Sequence, residues 1–165
     1  MEYKEFAGMP DDARLWVYGF DRAIEPDTRA KVEADLSAFL RTWTSHGAAV
    51  DGAFMLVENR FLLLACCCEA GIGGCAIDES VGLVRSFKEK YGLDGFNRDT
   101  VFFRNEDGSI EVVTRESFQA NIDEGRVDNN TVVFDVTLTN LAALRAGDLE
   151  STLESCWHAR AFALK

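Results

Sequence analysis

Residues 71–80, GIGGCAIDES, bring three glycines, a cysteine, an aspartate and a serine into one short stretch. The stretch lies between the most apolar run of the chain and an amphipathic segment. That placement predicts a loop opening a helix. Cys75 near a helix N-terminus has its thiolate stabilised by the helix dipole and unpaired amides, which is how a nucleophilic thiol is activated. The same residue also reads as a small hydrophobe in a core, and Asp78 and Glu79 oppose a thiolate. Asp78 reads most simply as an N-cap of the helix, with acid–base work or ligand binding as its alternative. Gly74 would let a ligand approach the backbone. The loop holds no lysine and no GKS or GKT, so it is not a phosphate-binding P-loop.

The two histidines are the candidate bases. His46 precedes Gly47 at the expected end of the first helix, where an imidazole caps the helix and meets its dipole. His158 lies in the tail sequence SCWHAR. There Trp157 and Arg160 either close a site, with Arg160 as a bidentate donor to a carboxylate, or dock the tail onto the core. The remaining cysteines, Cys66, Cys67 and Cys68, are adjacent in a predicted strand. They lack the paired CxxC spacing of a zinc site and read as buried small residues. Adjacent cysteines cannot bridge one another, and an odd total of five does not make a disulfide framework, so all five are expected as reduced thiols. No cofactor is expected.

The elements that position these residues follow from periodicity. Residues 14–20 (RLWVYGF) read as a strand. Val32, Leu36, Phe39, Leu40 and Trp43 form one stripe of a helix over 27–46, with Pro26 tolerated at its first turn. Residues 53–57 and 60–68 read as a hairpin turning at Glu58–Asn59. FLLLACCC has no polar alternation and belongs mid-sheet. A second helix over 78–91 ends at Gly92. Residues 101–104 and 110–113 read as another hairpin about Asp107–Gly108. Then come a short helix over 115–123, a strand over 131–138 and a helical turn or two over 140–145.

The order over residues 14–104 predicts an α+β fold with a ferredoxin-like β-α-β-β-α-β core. Residues 1–105 form that core and 106–165 a small C-terminal α/β extension packed as part of one domain. Strands one and three are expected as parallel neighbours. Asp21, Arg22, Cys75 and Asp78 then share one sheet edge, with His46 at the opposite edge. That geometry argues against a Cys75–His46 pair and leaves His158 as the partner of Cys75.

Composition excludes several function classes. The 165-residue chain has 17 Lys and Arg against 28 Asp and Glu, a net charge of −11. Such a surface repels phosphate backbones and anionic lipid, and no basic patch offsets it, so neither nucleic acid nor membrane is expected as a partner. The run 61–68 is too short to span a bilayer. The start MEYKEFAGMPDD has neither the basic nor the apolar region of a signal peptide, so a cytoplasmic location is expected.

Several residue sets carry a resemblance: RLWVY near the start, WTSHG, GCAIDES, TVVF and the terminal SCWHAR. Together they resemble a family of small uncharacterised bacterial proteins of about this length, some of which carry the label "ABC transporter ATPase". The Lys and Ser/Thr of a Walker motif are missing here, so the resemblance implies no ATP chemistry. The segment ESFQANIDEGRVDNNTVVF also resembles small peptide-binding modules built from a helix, a Gly turn and a strand.

Three functional readings follow. The first is a non-enzymatic domain that binds a small molecule or a protein through Asp21, Arg22, Gly74 and the tail. The second is an acyl- or thiol-transfer enzyme with Cys75 as nucleophile, His158 as base and Asp21 or Asp78 orienting it. The third is a homo-oligomer extended by sheet-edge pairing.

Overall fold

The computed structural model describes residues 2–164 and is an α+β protein of two compact units. The first unit runs to Phe96 and includes Thr139–Ala142; the second takes Asn97–Leu138 and the chain from Ala143 on.

In the first unit, β1 (Arg14–Gly19) leads into α1 (Pro26–Thr42). A two-residue hairpin, β2 (Thr44–Ser45) and β3 (Ala48–Ala49), precedes β4 (Asp51–Val57), β5 (Phe61–Cys67) and α2 (Gly74–Tyr91). The sheet order is β1-β5-β4, with both pairings antiparallel. β5 is central as its unbroken apolar run requires, and Phe61 through Cys66 are all buried. Both helices press one stripe onto one face. Val32 and Leu36 of α1 and Val84 and Phe87 of α2 meet Tyr18, Leu56 and Leu62 of the strands. Against β4 lies a 3-10 turn, Lys4–Phe6, whose Phe6 is fully buried.

Two features of the expected ferredoxin-like topology are corrected. β1 and β5 are antiparallel, not parallel: Gly19 pairs with Phe61 and Arg14 with Cys66. Connectivity explains this. The tight hairpin makes β4 and β5 antiparallel, the crossover through α1 makes β1 and β4 parallel, and β5 lying between them must oppose both. The fourth strand is also absent from this sheet. The outer edge of β1 instead receives Thr139–Leu141, through Leu15 N donating to Thr139 O (3.0 Å) and Leu141 N to Ala13 O (3.2 Å).

That fourth strand, β6 (Thr100–Arg104), belongs to the second unit. It pairs with β7 (Ile110–Thr114) and with β8 (Val132–Phe134), and β8 pairs with β9 (Glu150–Thr152), giving an antiparallel sheet β7-β6-β8-β9. The division of the chain therefore falls after Phe96, before this hairpin, rather than at 105/106. Between β7 and β8 lies α3 (Arg115–Asp123), whose predicted bounds match. Thr114 Oγ1 accepts the Ser117 amide at its start and Gly125 turns the chain with φ +80 after it. The predicted strand 131–138 is shorter, because Asp135 folds the chain back by accepting the Thr137 amide (2.9 Å). α4 (Leu141–Arg145) precedes β9. A 3-10 turn, Leu153–Ser155, and α5 (His158–Ala161) place the tail, with Phe162 in one cluster with Phe103, Phe118 and Ile122.

Candidate functional site

Antiparallel pairing of β1 and β5 sends the two expected halves of one site to opposite ends of α2. Asp21 follows β1, and its carboxylate accepts the Asp94 amide (3.3 Å) just beyond the C-terminus of α2. The Arg22 guanidinium lies over Gly92, where a Cβ would meet Nη1 at 2.9 Å. Gly92 has φ +68 and ends α2, so Arg22 supplies positive charge at a helix C-terminus. Asp21 and Arg22 are therefore fastenings of the far end of α2. They do not join Cys75 and Asp78 in one neighbourhood.

At the near end, α1 stops at Thr42, four residues before His46. His46 and Gly47 instead form the two-residue turn between β2 and β3, both with positive φ (+52 and +79), as primed hairpin turns require. The expected helix-capping role of His46 is thus corrected, and so is its expected position. Its Nε2 sits so close to Gly73 that a Cβ there would meet it at 2.8 Å. The buried Ser45 hydroxyl accepts the Gly73 amide and donates to Gly71 O, each at 2.8 Å. This tertiary bond fixes residue 73 and lets α2 begin at Gly74, with Ile77 N donating to Gly73 O (3.1 Å). Asp78 is accordingly not the N-cap. It is the fifth helical residue and is exposed, as are Gly74 and Cys75 in the first turn. Trp43 completes the anchor, its indole Nε1 donating to Ala76 O at 2.9 Å.

Cys66 and Cys67 are poor nucleophiles. Burial pushes Cys66 up to about 12, and burial together with Asp51 raises Cys67. All five cysteines are free thiols, as expected.

The tail residues belong to the second unit. Trp157 Nε1 donates to Asp135 Oδ1 (3.2 Å) and its ring stacks on His158 at 3.9 Å. Arg160 is exposed. His158 is 2 % exposed, and its Nδ1 lies 3.0 Å from Cys156 Sγ. Burial pulls its pKa down to about 4; Asp135 opposes that shift and Arg115 adds to it. The imidazole paired with Cys75 at the sequence level is thus committed to a different thiol.

One cleft is lined by none of the residues expected at a site. It measures about 730 Å³ and opens on the second unit between the turn at 105–108 and the segment 125–132. Arg104 crosses its floor, with Nε on Glu150 (2.5 Å), Nη1 donating to Gly108 O (2.8 Å) and the guanidinium over the Phe134 ring. Arg126 donates to Asn121 Oδ1 (3.1 Å) and faces Glu111 at 3.8 Å. Asp128 accepts the Asn130 amide (2.8 Å). Asp107 accepts the Ser109 hydroxyl and amide, which hold its carboxyl below the usual carboxylate range. A smaller space of about 290 Å³ adjoins it and adds Ile122 and Leu164 as apolar lining. The one sequence signal for this cleft is the helix, Gly turn and strand segment likened to peptide-binding modules, since residues 125–132 form one wall.

Among the described residues no cluster of three or more His, Cys, Asp or Glu is arranged to hold a metal, and no helix is long and apolar enough to cross a membrane. The chain matches no protein-family model, no curated protein and no solved structure.

Proposed function

We propose that the protein is a non-enzymatic binding domain whose second unit takes an extended polypeptide segment carrying a basic side chain. The observation that carries this reading is the 730 Å³ cleft and the charge around it. Both of its guanidiniums already face carboxylates, Arg104 on Glu150 and Arg126 near Glu111. Glu106, Asp107 and Asp128 then leave the lining with excess negative charge, in keeping with a chain of net charge −11. An adjoining apolar space suits a neighbouring hydrophobic side chain. Clefts that combine apolar lining with a few fixed polar groups are the usual form of a ligand site. The resemblance of residues 116–134 to peptide-binding modules supports the same reading.

Selection of a displayed random-peptide library on the intact protein tests it. Enrichment of sequences with Lys or Arg is expected. Asp128→Arg is expected to weaken a selected peptide by at least about tenfold in a fluorescence-anisotropy titration, since it places like charge against the ligand. No enrichment above background, or binding indifferent to Asp128→Arg, overturns the reading.

One observation favours a second reading, in which Cys75 is a nucleophile: the imidazole of His46 lies against Gly73, two residues from the thiol. His46, not His158, is then the base. On this reading the rate of Cys75 alkylation at neutral pH falls about tenfold in His46→Ala. An unchanged rate removes it.

A further inference from the structure

The two guanidiniums of the second unit's cleft are held differently. Arg104 is built into the floor. Its side chain is 22 % exposed, and Glu150, Gly108 O and the Phe134 ring each engage it. Arg126 stands on the wall formed by residues 125–132, with a side chain 58 % exposed. Its Nη2 reaches Glu111 Oε2 only at 3.8 Å, longer than a hydrogen bond. Nη1 donates to Asn121 Oδ1 (3.1 Å), and the Arg126 amide donates to Asn121 O (2.9 Å). The backbone bond fixes residue 126 whatever its side chain does.

Glu111 is placed by the sheet. In the register of β6 and β7 it lies directly across from Phe103. Residues opposed on antiparallel strands project to the same face, and Phe103 lines the cleft. Glu111 therefore borders the cleft on the face where Phe103 clusters with Ile122 and Val127. The acids that line the cleft stand on turns, and two of them are already engaged: Asp107 accepts the Ser109 amide and Asp128 the Asn130 amide. Glu111 is half-buried on a strand, where its charge is less screened and its position more rigid.

Given a ligand that carries a basic side chain, as proposed, we infer that Glu111 is the carboxylate that receives that side chain, and that Arg126 holds its place in the free protein. Binding is then an exchange. The ligand's cation takes Glu111, and the Arg126 side chain swings to solvent about its fixed backbone. The exchange costs little, because an exposed ion pair contributes little. It also adds selectivity. A simple cation must displace Arg126 with nothing else to gain, whereas a peptide also places a neighbouring residue in the adjoining apolar space.

The test is a double-mutant cycle on peptide affinity, read by fluorescence anisotropy with a Lys- or Arg-bearing peptide selected on the intact protein. Arg126→Gln is expected to tighten binding about threefold, the scale of an exposed ion pair. In a Glu111→Gln background the same change is expected to leave affinity unaltered, since no carboxylate remains to compete for. An equal gain in both backgrounds would reflect only the loss of a like charge, and overturns the inference. So does an Arg126→Gln protein with Glu111 intact that binds no tighter than wild type. In either case Asp128→Arg still weakens the peptide, and the binding function stands. Failure to select any basic peptide removes that function and the role of Glu111 together.

Discussion

Trp43→Ala is expected to lower the unfolding free energy of the first unit by about 4 kcal/mol, the range for removing a fully buried large aromatic ring. Trp43 is 2 % exposed. It lies just past α1, packs on Phe39 with ring centroids 4.9 Å apart, and sits over Gly52, where a Cβ would meet its ring at 3.3 Å. Strand β4 therefore offers the indole a flat floor that a larger residue at 52 would fill. The indole also bonds Ala76 O across 2.9 Å, tying the end of α1 to the first turn of α2. Trp43→Phe separates the two contributions. It keeps most of the ring and loses the donor, at an expected cost of about 1–2 kcal/mol. Urea unfolding of both variants checks this; a cost below about 1 kcal/mol for Trp43→Ala would mean that the ring is not a core element.

Acidification is expected to cost the second unit about 3 kcal/mol through His158 alone. The ordinary histidine value is 6.5 and the folded value is about 4. Above pH 6.5 the imidazole is neutral in both folded and unfolded chains, and stability is complete. Between 6.5 and 4 only the unfolded chain binds the proton, so stability falls by about 1.4 kcal/mol per pH unit. Below 4 both states bind it and no further loss arises from this group. His158→Asn removes the titration, so the difference between the two unfolding free energies should shrink by about 3 kcal/mol from pH 7 to pH 4, while the carboxylates common to both cancel. A constant difference across that range would mean that the imidazole is not buried as a neutral group. Asp135 and Arg115, the charged groups beside it, act in opposite directions, and burial is the dominant cause.

Much of the local structure was legible because its causes are local. FLLLACC reads as a central strand since every residue must be buried, and it is one. α3 was legible to the residue, because Thr114 caps it and Gly125 ends it within one short stretch. Gly92 and Gly147 turn the chain with positive φ after α2 and α4 for the same reason. α1 was read too long, because Trp43 continues its apolar stripe while serving as a tertiary anchor to Ala76.

The candidate site was less legible. Cys75 was correctly placed beside a helix start, yet its neighbours depended on the relative direction of β1 and β5. Reversing that direction exchanged Asp21 and Arg22 for Ser45 and His46. No local signal reports strand direction, since a strand's side-chain alternation is the same either way along it.

Composition, hydrophobic period and turn residues by themselves determined an acidic α+β chain, its main helices, its hairpins and its reduced thiols. Only the tertiary structure decided that Thr100–Arg104 leaves the first sheet for the second, that a serine from β2 starts α2, and that His158 faces Cys156 rather than Cys75. Each of these is a contact whose energy comes from burial or hydrogen bonding between segments. Such contacts are specified by how whole surfaces fit, which no single stretch of residues contains.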